Sequence, residues 1–308
     1  MRTDQAQAGW PGPVGRPARP HWWSIQPPPP SSPIPARRAY LEVLGVFALF
    51  FAAGIIAGGE TLARRYPSPS GSWAVFTPAT VSELATAALA LIVTITLSAR
   101  RGITPRQLGL GLPRAEGGEV ARAAAFRAGV WAFVALTVGS VVTSALATGK
   151  LGQPAHQNFS YLIYTTAASI AAGVVEETVV LAFTVTTLRQ AGRPLPEIVI
   201  VAVLLRCSYH DYYGPGVIGI AIWAAVFVWL FLRTGSVIPL IIVHFGWDAT
   251  IFWSQRWHAV ATGRAVFGLL AIVLAAVTWL AELIGRGRDQ APPGGLAGPG
   301  GPTSPGPD

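Results

Sequence analysis

The sequence predicts an all-α fold, a polytopic membrane bundle of about eight transmembrane helices. Only 12% of the 308 residues are charged and 52% are apolar, whereas an average soluble domain carries roughly 25% charged residues. Several apolar stretches of about 17–25 residues are each long enough to cross roughly 30 Å of hydrocarbon as a helix. The net charge of +8 resides largely in arginines between those stretches, where the positive-inside rule accounts for them and no nucleic acid is implied. A single cysteine, Cys207, excludes an internal disulfide and a cysteine-rich metal site.

Taken in chain order, residues 1–38 hold ten prolines, including the run Pro27 to Pro30, and read as a disordered or polyproline II tail. They contain no apolar core of a cleavable signal peptide. The transmembrane domain, residues 39–285, divides into spans at 40–58, 80–98, 128–147, 162–190, 196–213, 217–232, 236–254 and 265–284. Thr80 to Glu83 has the form of a capping box that would open the second span. Pro194 and Pro196 bracket the start of the fifth, and Gly214-Pro215-Gly216 makes the turn after it. Residues 286–308 form a second tail; its last 20 positions contain six Pro and six Gly, too little apolar material to bury a core. The spans show no internal repeat, which argues against a duplicated transporter architecture.

Arginine and lysine counting sets the expected orientation. With the N-terminus cytoplasmic, 16 of these residues fall in inside segments and six outside: Arg64, Arg65, Lys150, Arg206, Arg256 and Arg264. The expectation is therefore a multi-pass plasma-membrane protein with both termini cytoplasmic.

Polar residues inside spans carry the functional signal. Glu176 and Glu177 interrupt the apolar run Gly173-Val-Val-Glu-Glu-Thr-Val-Val-Leu. A charge at a helix centre costs about 2.5–3.5 kcal/mol on insertion scales, so adjacent acids need partners, protonation or a wet cavity. His210 lies in Arg206-Cys-Ser-Tyr-His-Asp-Tyr-Tyr-Gly214. In a hairpin turning at Pro194, Glu176 and His210 fall at depths of about 27 and 24 Å, nearly level. His244 and Asp248 share a helix face at spacing i, i+4 but lie only about 14 and 20 Å from the turn near Gly235, so the helix ends must be offset or tilted for the groups to converge.

Two chemistries fit such a cluster. In one, a carboxylate and His210 activate a water that attacks a carbonyl while His244 and Asp248 stabilise the oxyanion. In the other, Glu176, His210 and His244 hold a zinc ion with one position open for water; the His-Glu-x-x-His helix that often signals such a site is absent. Other polar groups take plainer readings. Glu42, Glu83 and Glu282 lie near span ends, with Glu282 spaced to pair with Arg286, and Cys207 reads as a small buried apolar residue. Trp73, Trp253 and Trp257 read as interfacial belt residues.

The three motifs together resemble the CPBP family, intramembrane proteases related to the CAAX prenyl endopeptidases and to bacterial bacteriocin-processing or immunity proteins. The matching residues are Glu176-Glu177, then His210, then His244 with Asp248, over about residues 100–255. Leu108-Gly-Leu110 and Gly235 resemble the family's connectors. Two positions depart from the pattern: Leu181 stands where the first motif usually continues to an arginine, and Arg206 where a phenylalanine commonly precedes the second-motif histidine. Arg206, one helical turn before His210, is placed to replace the missing counter-charge.

The resemblance implies an endopeptidase acting on a peptide or protein substrate in or near the bilayer. Glu176 would activate water with help from His210, and His244 and Asp248 would form the oxyanion site. The family is often classed with metalloproteases; the glutamate-dependent scheme is favoured here and requires no cofactor, with zinc as the alternative. Two rival functions remain on the sequence: a catalytically inactive binding or immunity protein, and a proton- or ion-coupled transporter whose acids relay protons.

Overall fold

A computed structural model describes residues 33–63, 73–112, 118–147 and 159–289. Most of both tails, the connector residues Arg64, Arg65 and Lys150, and the side chains of Trp73, Glu282 and Arg286 lie outside the described residues. Within them, eight helical rods and no strand are found. These are α1 (Ala36–Ala63), α2 (Trp73–Ala99), α3 (Gly118–Leu146), the continuous rod Phe159–Gln190, α6 (Leu195–Ser208), α7 (Val217–Thr234), α8 (Ile238–Arg256) and α9 (His258–Asp289). The long rod comprises α4 (Phe159–Val175), a π-helical segment Glu176–Phe183 and α5 (Thr184–Gln190). Six of the eight rods are long and apolar enough to cross a membrane; α6 and α8 are the other two. The protein is thus a polytopic helical membrane bundle.

Several predicted boundaries are corrected. No helix opens at Thr80: α2 begins at Trp73 and runs through Pro78, so Thr80 and Glu83 lie inside it and form no capping box. Pro78 lies in the second turn, so the Ala74 carbonyl loses its intrahelical donor there. The fifth span ends at Ser208 instead of residue 213, and its continuation is a short 3₁₀ segment, Asp211–Gly216, broken at Gly214 (φ 56°). The last span starts at His258, seven residues earlier than expected, which places Arg264 inside a helix. Ala36 to Arg38 belong to α1 and not to a tail.

One end of the bundle is tied by polar contacts. Arg101, after α2, reaches Glu42 of α1 at 3.2 Å and donates to Thr187 of α5 at 2.9 Å. Arg38 donates to the other oxygen of Glu42 at 2.8 Å. The Tyr40 hydroxyl hydrogen-bonds Glu197 at the start of α6, which also pairs with Arg193. At the same end, the two family-like connectors bond each other. Val237 N–H donates to the Gly109 carbonyl at 3.0 Å, and the Ser236 hydroxyl donates to the Gly111 carbonyl. Ile103, Leu108 and Val237 are fully buried beneath them. This is called the connector face below.

At the opposite end, the turn between α6 and α7 packs on the last turns of α3, where the Thr143 hydroxyl donates to the Gly216 carbonyl at 3.0 Å. From there α3 and α7 run together at very short range. A Cβ added at Gly219 would lie 2.2 Å from the Gly139 carbonyl oxygen and 2.3 Å from Thr143 Oγ1. Small residues allow membrane helices to approach this closely, because lipid offers no hydrophobic drive to hold them together and packing must do so. Gly219→Val is therefore expected to force α3 and α7 apart. The destabilisation should be about 3 kcal/mol, the upper end of ordinary overpacking costs, and appear as a lower unfolding temperature of the detergent-solubilised protein. Unfolding at the parent's temperature would show that this crossing does not carry the bundle.

Candidate active site

The hairpin of α4–α5 with α6 brings the glutamate pair level with the end of α6. Glu176 lies 14 residues before Gln190, and α6 is itself 14 residues long, so each reaches about 21 Å from the connector face. Because α6 stops short, His210 sits in the turn beyond it, in the interior of the bundle, and not on a helix face.

The π-helical segment begins at Glu176. A π segment inserts an extra residue per turn, and such segments frequently mark functional positions. The Thr184 hydroxyl donates to the Val179 carbonyl, five residues back, at 2.9 Å, helping to satisfy the widened turn. Leu181, at the position of the family arginine, lies in this segment and is buried in the core.

The counter-charge comes from α6. Arg206 Nη1 donates to Glu176 Oε2 at 2.6 Å, and Nη2 donates to both oxygens of Glu177 at 3.0 Å. The guanidinium lies 4.7 Å from the ring centroid of Trp223 on α7, so its face is covered while its edges serve the two carboxylates. Arginine suits this place because its planar fork presents several donors in fixed directions. Its side chain is 2% exposed and that of Glu177 is 0%. Arg206, counted on the outer side in the charge tally and offered by the motif comparison as the replacement counter-charge, is buried at the centre of the site.

Glu177 also accepts a hydrogen bond from His244 Nδ1 at 2.7 Å. Gly173 makes this reach possible. It lies one turn before Glu177, and a Cβ there would stand 3.1 Å from both the Ile241 carbonyl oxygen and Phe245 Cβ on α8, the residues flanking His244. The offset anticipated for α8 is real. His244 is only six residues into α8, about 9 Å, while Glu177 lies about 20 Å from the end of its rod; their contact sets the start of α8 about 10 Å further in, or tilts it equivalently. The connector around Leu108 and Gly109 fills the space beneath.

With Nδ1 committed to Glu177, His244 turns Nε2 toward Asp248 Oδ2 at 3.5 Å and Glu176 Oε2 at 4.0 Å. The Trp223 ring packs against it at 5.3 Å. Asp248 is the most open of the acids, with its side chain 30% exposed.

Glu176 differs from Glu177 in what it leaves free. Its Oε2 accepts from Arg206 and, at 2.8 Å, from the Tyr209 hydroxyl. Its Oε1 takes no hydrogen bond from any described residue, and the side chain is 11% exposed. His210 donates Nδ1–H to the Arg206 carbonyl at 2.9 Å; a carbonyl only accepts, so the neutral ring carries its lone pair on Nε2. The ring lies within electrostatic range of both Glu176 and His244.

All six residues singled out in the sequence therefore gather in one region. Tyr209 and Trp223 were not foreseen. Tyr209 neighbours His210, but its role depends on α1, whose Phe51 stacks on it at 4.3 Å and Phe47 lies at 6.1 Å. Trp223 lies in an unbroken apolar run, where nothing separates a site residue from a lipid-facing one.

The zinc set Glu176, His210 and His244 is not assembled: among the described residues no three His, Cys, Asp or Glu side chains are arranged to hold a metal ion. The Arg206 guanidinium occupies the space between the two glutamates. The donors present do not fit zinc.

Residues 158–250 match the family model described as Type II CAAX prenyl endopeptidase Rce1-like. The match opens one residue before α4, closes within α8 and spans all six site residues. No curated protein and no solved structure matches the chain. The resemblance read from the three motifs is thus the one the family model gives over this stretch, and it supports a protease of the CAAX type.

The Arg206 clamp yields a direct expectation. Removing one partner of a buried ion pair costs about 3–5 kcal/mol, because the remaining charge is left uncompensated. Arg206→Met should lower the unfolding temperature accordingly. Adding Glu177→Gln should recover part of that loss, since the two sites share one network. Additive losses in the double variant would refute the shared clamp.

Proposed function

We propose that this protein is an intramembrane endopeptidase that hydrolyses a peptide bond with water activated by Glu176 and His210. The observation that carries the reading is the asymmetry of Glu176: Oε2 is held by Arg206 and Tyr209 while Oε1 is unbonded and accessible. A carboxylate fixed by one oxygen has its other oxygen oriented for proton transfer.

In this scheme Glu176 Oε1 and His210 Nε2 accept hydrogen bonds from a water. As the water oxygen bonds to the scissile carbonyl carbon, its proton passes to Glu176. The carbonyl electrons move to oxygen, and His244 in its imidazolium form donates Nε2–H to that oxyanion. Glu177 and Asp248 on either side of the ring stabilise the imidazolium. Collapse of the intermediate breaks the C–N bond, and Glu176 returns its proton to the leaving amine. No step is routed through a metal. Arg206 also answers the departure at Leu181, since it supplies the cation that the family pattern places there; this favours an active enzyme over an inactive relative.

The test is turnover of bilayer-spanning fluorogenic peptides by the protein reconstituted in liposomes. Glu176→Gln keeps the shape and hydrogen bonding of the side chain but cannot take a proton. It and His210→Ala should each lower the rate at least about a hundredfold, the lower range of general-base contributions, with the protein still folded. Chelators should leave the parent rate unchanged, because a glutamate-activated water needs no metal. Full activity of Glu176→Gln rejects the mechanism. Proton flux lost in Glu176→Gln, with no peptidase activity in the parent, favours the transporter.

We also propose that the connector face is cytoplasmic, in a plasma membrane, with both termini on that side. Arg38, Arg100, Arg101, Arg106 and Arg193 concentrate there. Reporter fusions at the two termini should report the cytoplasm, and opposite sides would overturn the topology.

A further inference from the structure

One guanidinium treats the two adjacent glutamates unequally. Arg206 Nη2 donates to both oxygens of Glu177 at 3.0 Å, whereas Nη1 donates to Glu176 through Oε2 alone, at 2.6 Å. Nothing in the guanidinium imposes that difference. A glutamate carboxylate turns about a terminal torsion with broad minima, and arginine commonly engages both oxygens of a carboxylate, with a gain in strength. Left to Arg206, Glu176 would rotate until both of its oxygens faced the cation, and Oε1 would no longer be free.

A second donor separates the two acids. The Tyr209 hydroxyl donates to the same Oε2 of Glu176 at 2.8 Å. Two donors from different side chains, meeting on one oxygen, hold the carboxylate in a rotation that Arg206 alone does not select. The hydroxyl is itself well placed to do this. Tyr209 stands at the end of α6 and is buried. Its ring stacks on Phe51 of α1 at 4.3 Å and meets the His210 ring at 4.5 Å. A ring held on its faces leaves its oxygen little freedom to follow Glu176 should the carboxylate turn.

We infer that Tyr209 is a positioning residue: by holding Oε2 it keeps Glu176 from closing both oxygens onto Arg206, and so keeps Oε1 available for proton transfer. The inference rests on the hydrolytic reading given above, to which it adds the group that keeps the base open.

Tyr209→Phe tests it, since it removes the hydroxyl and keeps the ring and its stacking. With bilayer-spanning fluorogenic peptides, kcat should fall about tenfold, the worth of one hydrogen bond to a charged group. KM should stay unchanged, because the hydroxyl meets Glu176 and not the substrate. A structure of the variant should show both Glu176 oxygens within hydrogen-bonding distance of Arg206, a readout that does not depend on catalysis. A parental kcat, or a raised KM with kcat unchanged, in a protein that Glu176→Gln inactivates would overturn the role of Tyr209 and leave the hydrolytic mechanism standing. Oε1 still clear of Arg206 in the variant structure would overturn it whether or not the parent cleaves peptides.

Discussion

A single guanidinium holds this structure's polar centre together. Two adjacent carboxylates in a membrane helix repel each other and lose their hydration, and neither cost is met by the rod that carries them. Arg206 meets both by bridging Glu176 and Glu177 from the neighbouring helix, with Trp223 closing over its face. The rest of the site follows from that bridge. Glu177, saturated, becomes the acceptor that orients His244. Glu176, bonded on one side only, becomes the group left free to react. Adjacent identical residues are thereby differentiated by their partners alone, a common route by which one residue type serves two roles.

The helices around the clamp have shapes that serve it. The π segment at Glu176–Phe183, the short α6 and the deep start of α8 each depart from a regular membrane span. Irregular backbone at membrane depth is tolerated where it is enclosed by protein. Here the enclosure is provided by α1 through the Phe51–Tyr209 stack, by α7 through Trp223, and by the connector at Leu108–Gly109. Although α1 lies outside the stretch resembling known proteases, it supports the tyrosine that binds Glu176.

Most of the bundle was legible in the sequence because lipid leaves few choices: apolar length reports a helix, and every rod was anticipated, although α3 starts at Gly118, ten residues before the expected 128, because its first turns are too polar to read as a span. The polar residues of the site were legible for the same reason, since a charge in such a run has no ordinary explanation. What remained hidden is instructive. Arg206 was legible from the motifs as the replacement counter-charge, but its depth was hidden, because the orientation tally counts it on the outer side while the rods bury it between the two glutamates. The π segment leaves no trace in residue type, as Thr178 to Phe183 read as helix of either kind. Trp223 was concealed by its apolar surroundings. The Thr80–Glu83 pattern misled because a capping box describes a helix start, and the chain was already helical seven residues earlier. Local signals thus gave identity and order, whereas depth and partner depended on contacts between rods.

The brevity of α6 bears on how the protein enters the membrane. Fourteen residues span about 21 Å, too little for the roughly 30 Å of hydrocarbon, and this helix carries an arginine near its far end. Released alone from the insertion machinery, it would neither reach across nor shed its charge. The preceding rod has the converse difficulty, with two acids at mid-length and its cation, Arg189, only in the last turn at the far end. Each is the other's remedy: only with the ion pair closed does the segment from Phe159 to Ser208 meet lipid with its central charges matched. Ribosomal synthesis delivers the acids first, and they wait within protein or water until Arg206 arrives 29 residues after Glu177.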